Sequence, residues 1–126
     1  MGTLNLGNGA SFTGGSGGFL SDAPSGTVIK SGSYYTGSGS SNTQTITTGF
    51  QPRFVIIKNT ANTDDWYVLD TTRGWAAGDD KRLYLNTNAA QSDQDVGAPT
   101  STGFDLTANV RAFNQAGRYY IYYAHA

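Results

Sequence analysis

The sequence predicts an all-β fold: an antiparallel, jelly-roll-like β-sandwich that follows an extended, Gly-rich N-terminal arm. Three observations predict it. Gly occupies 17 of the 126 positions, and Gly favours turns over helix interiors. All nine acidic residues are Asp, so the sequence lacks Glu, the carboxylate that suits helices best. From residue 27 onward, short runs of β-favouring residues alternate with turn residues.

The first 26 residues are predicted to form the arm, and residues 27–126 the sandwich domain. Gly and other small residues dominate the arm, which therefore has too little apolar surface for a core of its own. It still carries spaced apolar side chains, which a flexible linker does not need. We expect them to dock the arm on another surface; a disordered tail and a first strand of the same domain are the alternatives. The predicted docking residues are Leu4, Leu6, Phe12, Phe19 and Leu20.

Seven strands are predicted after the arm, enough for two packed sheets. The run 53–58 contains four consecutive apolar residues, so we expect it to be a central strand buried on both faces. Pro52 lies at its start, where a missing N–H is tolerated. The loops at 59–65 and 74–80 are rich in Asn, Asp and Gly, as turns require. The predicted strands are 27–33, 43–48, 53–58, 66–70, 82–85, 103–106 and 118–124.

The last predicted strand carries large side chains on both faces. Tyr119, Ile121 and Tyr123 share one face, and Tyr120 and Tyr122 share the other. Tyrosine combines an apolar ring with a polar tip, so it suits both a core with wet edges and a contact surface. The strand is therefore interpreted as part of the sandwich core or, alternatively, as a subunit interface or ligand platform.

Charge and composition exclude several kinds of partner. The net charge is −1, and the eight Lys and Arg residues are scattered rather than clustered, so we expect no nucleic-acid partner. No run approaches the eighteen apolar residues of a membrane span, so we expect no membrane partner. The absence of Cys excludes disulfides, thiolate metal sites and thiol nucleophiles.

No titratable residues form a recognisable catalytic motif. His125 lies one residue from the C-terminus, where a fraying end would have to hold a Ser–His–Asp triad. The Asp pairs lie in predicted loops, where Asp ordinarily bonds nearby backbone, so we expect exposed turn residues that tolerate Asn. The sequence therefore predicts no enzyme, no catalytic residue, no resident metal and no cofactor, with calcium on loop oxygens as an alternative. The paired residues are Asp64, Asp65, Asp79, Asp80, Asp93 and Asp95.

An aromatic platform for a glycan or another partner is the one binding site that the composition leaves open. Trp75 lies in a loop without apolar periodicity, next to Arg73, and Tyr84 follows on the next predicted strand. Trp66 and Tyr67 offer further rings. These side chains could stack on a sugar ring while loop Asp and Asn bond its hydroxyls. The alternative, which we favour, is that Trp75 folds back over the end of the sandwich.

The segment 48–59, TGFQPRFVIIKN, resembles a module of tail and other structural proteins of tailed bacteriophages, particularly those of marine and cyanobacterial hosts. Later segments are similar to the module in order and roughly in spacing, so the resemblance covers about residues 43–126. The sequence departs from the module at Arg53, where the family often carries Asp, and at His125, where it is often aromatic. The later segments are LDTTRG at 69–74, LYLNTN at 83–88, GFDL at 103–106 and YIYYA at 120–124.

The resemblance implies a β-sandwich and a place in the virion, and it supplies no catalytic residue. We therefore expect a non-enzymatic virion structural protein on the particle exterior, a capsid decoration or cement protein attached through its N-terminal arm. The alternative is a tail-fibre or receptor-binding module that contacts host surface glycans. The expected partners are other virion proteins, such as the major capsid or tail protein, and further copies of this chain, with three-fold symmetry as the first expectation.

Overall fold

The structure, a computed structural model, describes residues 3–5, 11–13, 28–39, 43–78, 80–107 and 111–126. Within these ranges about half of the residues lie in β-strands, one short helix is present, and the rest form turns and loops. The elements are β1 (Thr3–Asn5), β2 (Ser11–Thr13), β3 (Ile29–Thr36), β4 (Gln44–Thr47), β5 (Phe54–Asn59), β6 (Trp66–Asp70), β7 (Lys81–Tyr84), β8 (Ser92–Asp93), β9 (Gly97–Thr100), β10 (Gly103–Leu106), α1 (Arg111–Asn114) and β11 (Tyr119–His125).

Two antiparallel sheets pack against each other, which confirms the predicted all-β sandwich. The larger sheet has six strands in the order β3-β11-β5-β6-β7-β8, and the smaller has three in the order β4-β10-β9. A separate two-stranded sheet pairs β1 with β2. Each of the seven predicted strands corresponds to an observed one. Four strands and the helix were not predicted: β1 and β2 lie in the segment predicted to be an arm, β8 has two residues, β9 reads Gly-Ala-Pro-Thr, and α1 is a single turn.

The core lies between the two sheets and is built largely of aromatic rings. Tyr120 is fully buried and stacks on Tyr35, with 4.9 Å between the ring centroids and 7° between the planes. Phe104, from the smaller sheet, meets Tyr122 edge-on at 5.6 Å. These contacts join the last strand of the chain to both sheets. The core cluster also contains Ile46, Val55, Ile57, Leu69, Val96, Leu106 and Phe113.

Strand β5 is a central strand, as predicted, but it is not buried on both faces. Val55 and Ile57 point into the core and are fully buried, whereas Phe54 and Ile56 on the opposite face are only half-buried. The prediction of burial on both faces was wrong because the smaller sheet covers only one side of the six-stranded sheet. A row of apolar side chains therefore remains on the uncovered side.

Asp80 fixes the loops at one end of the sandwich and is fully buried. One carboxylate oxygen accepts the backbone N–H groups of Val96 at 2.6 Å and Gly97 at 3.0 Å, and the other accepts that of Ala76 at 3.1 Å. Gly97 has φ +143°, and a Cβ there would come within 1.8 Å of the Asp105 carbonyl oxygen. The carboxylate thus fixes the first residue of β9 close to β10. The prediction that Asp80 is an exposed turn residue was wrong: the side chain is buried, and two of its three backbone hydrogen bonds reach across the sandwich end to Val96 and Gly97.

We expect Asp80→Asn to destabilise the fold by about 1–3 kcal/mol, because an amide can keep only one of the two acceptor oxygens and turns a donor towards a buried N–H. Urea unfolding followed by tryptophan fluorescence measures the change. Asp93→Asn is the matched control: it removes the exposed ion pair with Lys81 and is expected to cost less than about 1 kcal/mol. Equal stability of the Asp80 and Asp93 variants would contradict the assigned role.

The stability contribution of Asp80 is expected to depend on pH. Burial raises the pKa of Asp80 above its ordinary value of 3.8, and the three N–H donors partly oppose this shift. The folded state therefore holds the proton more tightly than the unfolded state. The stabilisation that comes from this tighter proton binding is fully present below the ordinary pKa. It is lost as the pH rises through the raised pKa of the folded state. Accordingly, the stability difference between the wild type and Asp80→Asn should shrink as the pH rises above the ordinary pKa of 3.8, and unfolding curves that show it growing would contradict the assignment.

Candidate interaction surface

The uncovered side of the six-stranded sheet, which we call the outer face, carries several exposed large apolar side chains, among them Tyr34, Trp66, Tyr119 and Ile121. Alternation along β11 defines it. Tyr120 and Tyr122 point into the core, whereas Tyr119 is 57% exposed and Ile121 is 39% exposed. The interpretation as core is therefore correct for the inner face, whereas the outer side chains are exposed, and their role as an interface or platform stays a prediction.

Strand register arranges the outer face in two neighbouring rows. The first row crosses four strands, and in it Tyr123 lies opposite Ile56, Ile56 opposite Val68 and Val68 opposite Leu83. Val68 is buried but lies outside the core cluster, as expected for a side chain covered by its neighbours in this row. The second row is offset from the first by two residues on each strand. It consists of Tyr34, Ile121, Lys58, Trp66 and Leu85. Leu85 lies next to Trp66 because its N–H donates to the Trp66 carbonyl.

A depression of about 260 Å³ lies where the two rows meet. Trp66 lies on one side and Ile121 and Tyr123 on the other, with Ile56 between them; Tyr122 also contributes to the lining. The lining is almost wholly apolar, and Trp66 is 39% exposed. The depression therefore suits an apolar side chain better than a sugar, whose hydroxyl groups need convergent polar partners.

The charged groups around the outer face are turned away from its centre or already paired. Lys58 lies in the second row, but its ammonium donates to the backbone carbonyls of Asn59 and Asn62, in the loop after β5. Its alkyl stem remains between the apolar side chains. Asp70, at the end of β6, forms an ion pair with Arg73. Lys58 is thus the one charged side chain in the two rows, and its ammonium is turned towards the loop after β5.

Trp75 does not form the predicted exposed platform. Its side chain is 2% exposed and meets Phe104 edge-on at 5.9 Å, in the core between the sheets. The loop turns inward because Ala76 donates its N–H to buried Asp80 and Trp75 donates its own N–H to the Asp70 carbonyl. The favoured prediction, that Trp75 folds back over the end of the sandwich, is therefore correct. The prediction of an exposed Trp75 is wrong.

The other two predicted contact residues are also engaged within the chain. Arg73 pairs with Asp70 and donates to the Val68 carbonyl at 3.2 Å. Tyr84 is half-buried, and its hydroxyl lies 2.9 Å from the Ser92 hydroxyl. Its ring contacts Tyr67, and the Arg82 guanidinium lies over both rings. Trp75, Arg73 and Tyr84 therefore do not form a common binding surface.

The predicted docking residues of the arm lie only partly within the described ranges. Leu4 in β1 and Phe12 in β2 are register partners in the two-stranded sheet. The backbone here forms a pair of strands, where a single extended arm was expected. Leu6, Phe19 and Leu20 lie outside the described residues.

The remaining carboxylates support loops. Asp64 accepts from the buried Asn59 side chain at 2.9 Å, and Asp65 accepts from the Asn86 side chain at 2.8 Å. Asp95 lines a second, shallower depression, and Asp79 lies outside the described residues. Within the described ranges, no three His, Cys, Asp or Glu side chains come together in a way that could hold a metal ion.

His125 is exposed at the end of β11, with Nδ1 3.5 Å from the Tyr123 hydroxyl. This contact is to a tyrosine of the same strand.

As for membrane insertion, none of the helices that the structure describes is long and apolar enough to cross a bilayer.

Comparison with known proteins places the chain in a family. A family model described as "Domain of unknown function (DUF7483)" matches residues 26–126. The chain belongs to the DUF7483 family. No curated protein and no solved structure matches it. The DUF7483 match contains every strand from β3 to β11 and therefore both packed sheets and the whole outer face.

Sequence reasoning named Trp66 and the face with Tyr119, Ile121 and Tyr123 as possible contact residues. It missed Ile56 and did not bring these side chains together on one surface of the DUF7483 domain. The signal was present in two places: the continuous apolar run of β5 and the large side chains on both sides of β11. An antiparallel strand with one solvated face normally alternates apolar and polar residues. Two neighbouring strands that break this alternation indicate a surface made for contact.

Truncation of the two tryptophans should lower the stability of the domain by very different amounts. We expect Trp75→Ala to destabilise the domain by about 3–5 kcal/mol, because it empties a core position. Trp66→Ala, on the outer face, should cost about 1 kcal/mol or less. Urea unfolding monitored by circular dichroism measures both variants, and a Trp75 variant as stable as the wild type would be incompatible with the observed packing.

Proposed function

We propose that the chain is a non-enzymatic structural protein on the exterior of a tailed-bacteriophage particle, a capsid decoration or cement protein attached through its N-terminal arm. The observation that carries this proposal is the outer face, because its largely apolar rows suit association with protein better than chemistry on a small substrate. The resemblance of residues 43–126 to a module of phage structural proteins supports the placement in a virion.

The position of the arm supports a role in attachment. Val28, the residue that follows the arm, accepts a hydrogen bond from the N–H of Ala126, so the arm joins the sandwich beside the C-terminus. Strand β3, which begins at the next residue, is an edge strand of the six-stranded sheet. The arm thus leaves from an edge and does not have to cross the core. The core cluster itself is built from residues 35–124.

Sparse anchors require several arms to act together. Burying one Leu or Phe side chain contributes about 1.5–3 kcal/mol, whereas ordering each residue of a flexible segment costs about 1–2 kcal/mol. Five anchors in 26 residues therefore bind weakly if they act alone. Several arms presented by neighbouring copies on a particle bind with avidity that a single arm lacks.

The alternative, a tail-fibre or receptor-binding module for host glycans, has less support. Its expected platform depended on Trp75, which is buried, and on Arg73, which is paired with Asp70. The exposed aromatic residue Trp66 borders a depression with few polar groups. A glycan array hit that is lost in Trp66→Ala, with folding unchanged, would favour this alternative.

Deleting residues 2–26 tests the attachment role. We expect the remaining sandwich to fold, since its core cluster is built from residues 35–124, and to lose binding to particles that lack the protein. Co-sedimentation with such particles measures attachment, and circular dichroism measures folding. A full-length variant with Leu4, Leu6, Phe12, Phe19 and Leu20 replaced by Ser is the matched control for chain length, and it should lose binding too. Undiminished attachment of the deletion variant would overturn the arm as the attachment device.

A further inference from the structure

We propose that the outer face binds the outer face of a second copy of this chain, in a pair related by two-fold symmetry. The proposal goes beyond the role on a particle, because it concerns the isolated protein and involves only the sandwich. It locates self-association on named residues: the two rows centred on Ile56, Trp66 and Ile121.

Charge favours a second copy over a charged partner. The Lys58 ammonium donates to two backbone carbonyls, and Asp70 is paired with Arg73, so the polar groups of both side chains are bonded within the chain. Lys58 is the one charged side chain in the two rows, so two copies bring little like charge into the contact. An acidic, basic or nucleic-acid partner would find little charge complement on these rows. A glycan would meet too few polar groups.

The size of the outer face also fits a second copy. From β3 to β7 it crosses five strands, and the rows of side chains extend it along the strands, giving on the order of 500 Å² in projection. Accessible area exceeds projected area because side chains stand out of the sheet. A standard protein interface buries about 800 Å² on each partner. A partner as broad as the face itself is therefore needed to cover both rows, and a small ligand in the depression would leave most of them exposed.

The shape of a β-sheet makes this face self-complementary. Sheets share one hand of twist, and two sheets stack with their strands about 30° apart and about 10 Å between them. Side chains of one copy then fill spaces between the rows of the other. The rim contributes most of the newly buried surface, since Tyr34 is 71% exposed and Leu85 58% exposed, and both lie at the ends of the second row. In a two-fold pair each residue contributes twice, once from each copy.

Analytical ultracentrifugation of the full chain over a dilution series tests the pair. We expect a monomer–dimer equilibrium that Ile121→Asp weakens at least about tenfold, because the new charge would be buried at the centre of the interface. Ile121 points away from the core, so the variant should keep its near-ultraviolet circular dichroism. Thr47→Asp is the matched control: it places the same charge on an exposed strand position of the smaller sheet and should leave the equilibrium unchanged. If Ile121→Asp fails to fold, Leu85→Asp takes its place, since Leu85 lies beyond the end of β7 and is more exposed.

Fluorescence quenching identifies what covers the face. Because Trp75 is buried, the emission that acrylamide quenches comes from Trp66. We expect quenching to fall as protein concentration rises, and to do so equally after deletion of residues 2–26. Quenching that is independent of concentration but increases on deletion would overturn the proposal in favour of the arm as the occupant. A trimer, or a monomer at all concentrations, would overturn it as well, without bearing on whether the arm attaches the protein to particles.

Discussion

Tyr120 and Tyr122, which point inward from the last strand, hold the sandwich together. Tyr120 stacks on Tyr35 of β3, and its hydroxyl accepts the backbone N–H of Gln115 at 2.9 Å. Tyr122 meets Phe104 of the smaller sheet. Strand β11 pairs with β3 on one side and β5 on the other, so the six-stranded sheet is complete only when the C-terminal strand is in place. The core and the order of the sheet therefore depend on contacts between distant parts of the chain.

The same strand produces the surface on which the functional proposals depend. Because side chains alternate along β11, placing Tyr120 and Tyr122 in the core turns Tyr119 and Ile121 outward. The smaller sheet covers only the inner side, and no element of the described chain is paired or packed as a third layer over the outer one. Apolar side chains on the outer side contribute nothing to the core cluster. Their arrangement in rows has a physical use only if something else covers them.

The end of the sandwich shows how a polar group supports an apolar core. Buried Asp80 accepts three backbone N–H groups from two separate segments and so fixes the loop that turns Trp75 inward. Asn59 and Asn114 are likewise fully buried and bond loop backbone: Asn59 accepts from Ala61, and Asn114 accepts from Ser38 and donates to Thr107. Each supplies partners that irregular backbone would otherwise lack. These loops are thus fixed to the fold by buried polar side chains.

By itself the sequence determined the local structure: the seven strands, the central place of β5 and the two-sided character of β11 follow from β-propensity and two-residue alternation. These signals depend on neighbours in the chain, and they were sufficient for the β-sandwich. Only the tertiary structure decided which side of β5 and β11 is covered, that Trp75 is core and Trp66 surface, and that Asp80 is buried. Alternation separates two faces without saying which one meets another sheet, because that depends on how the second sheet packs. The sequence therefore supplied the side chains of the outer face, and the packing of the second sheet on the other side leaves them as a surface among the described residues.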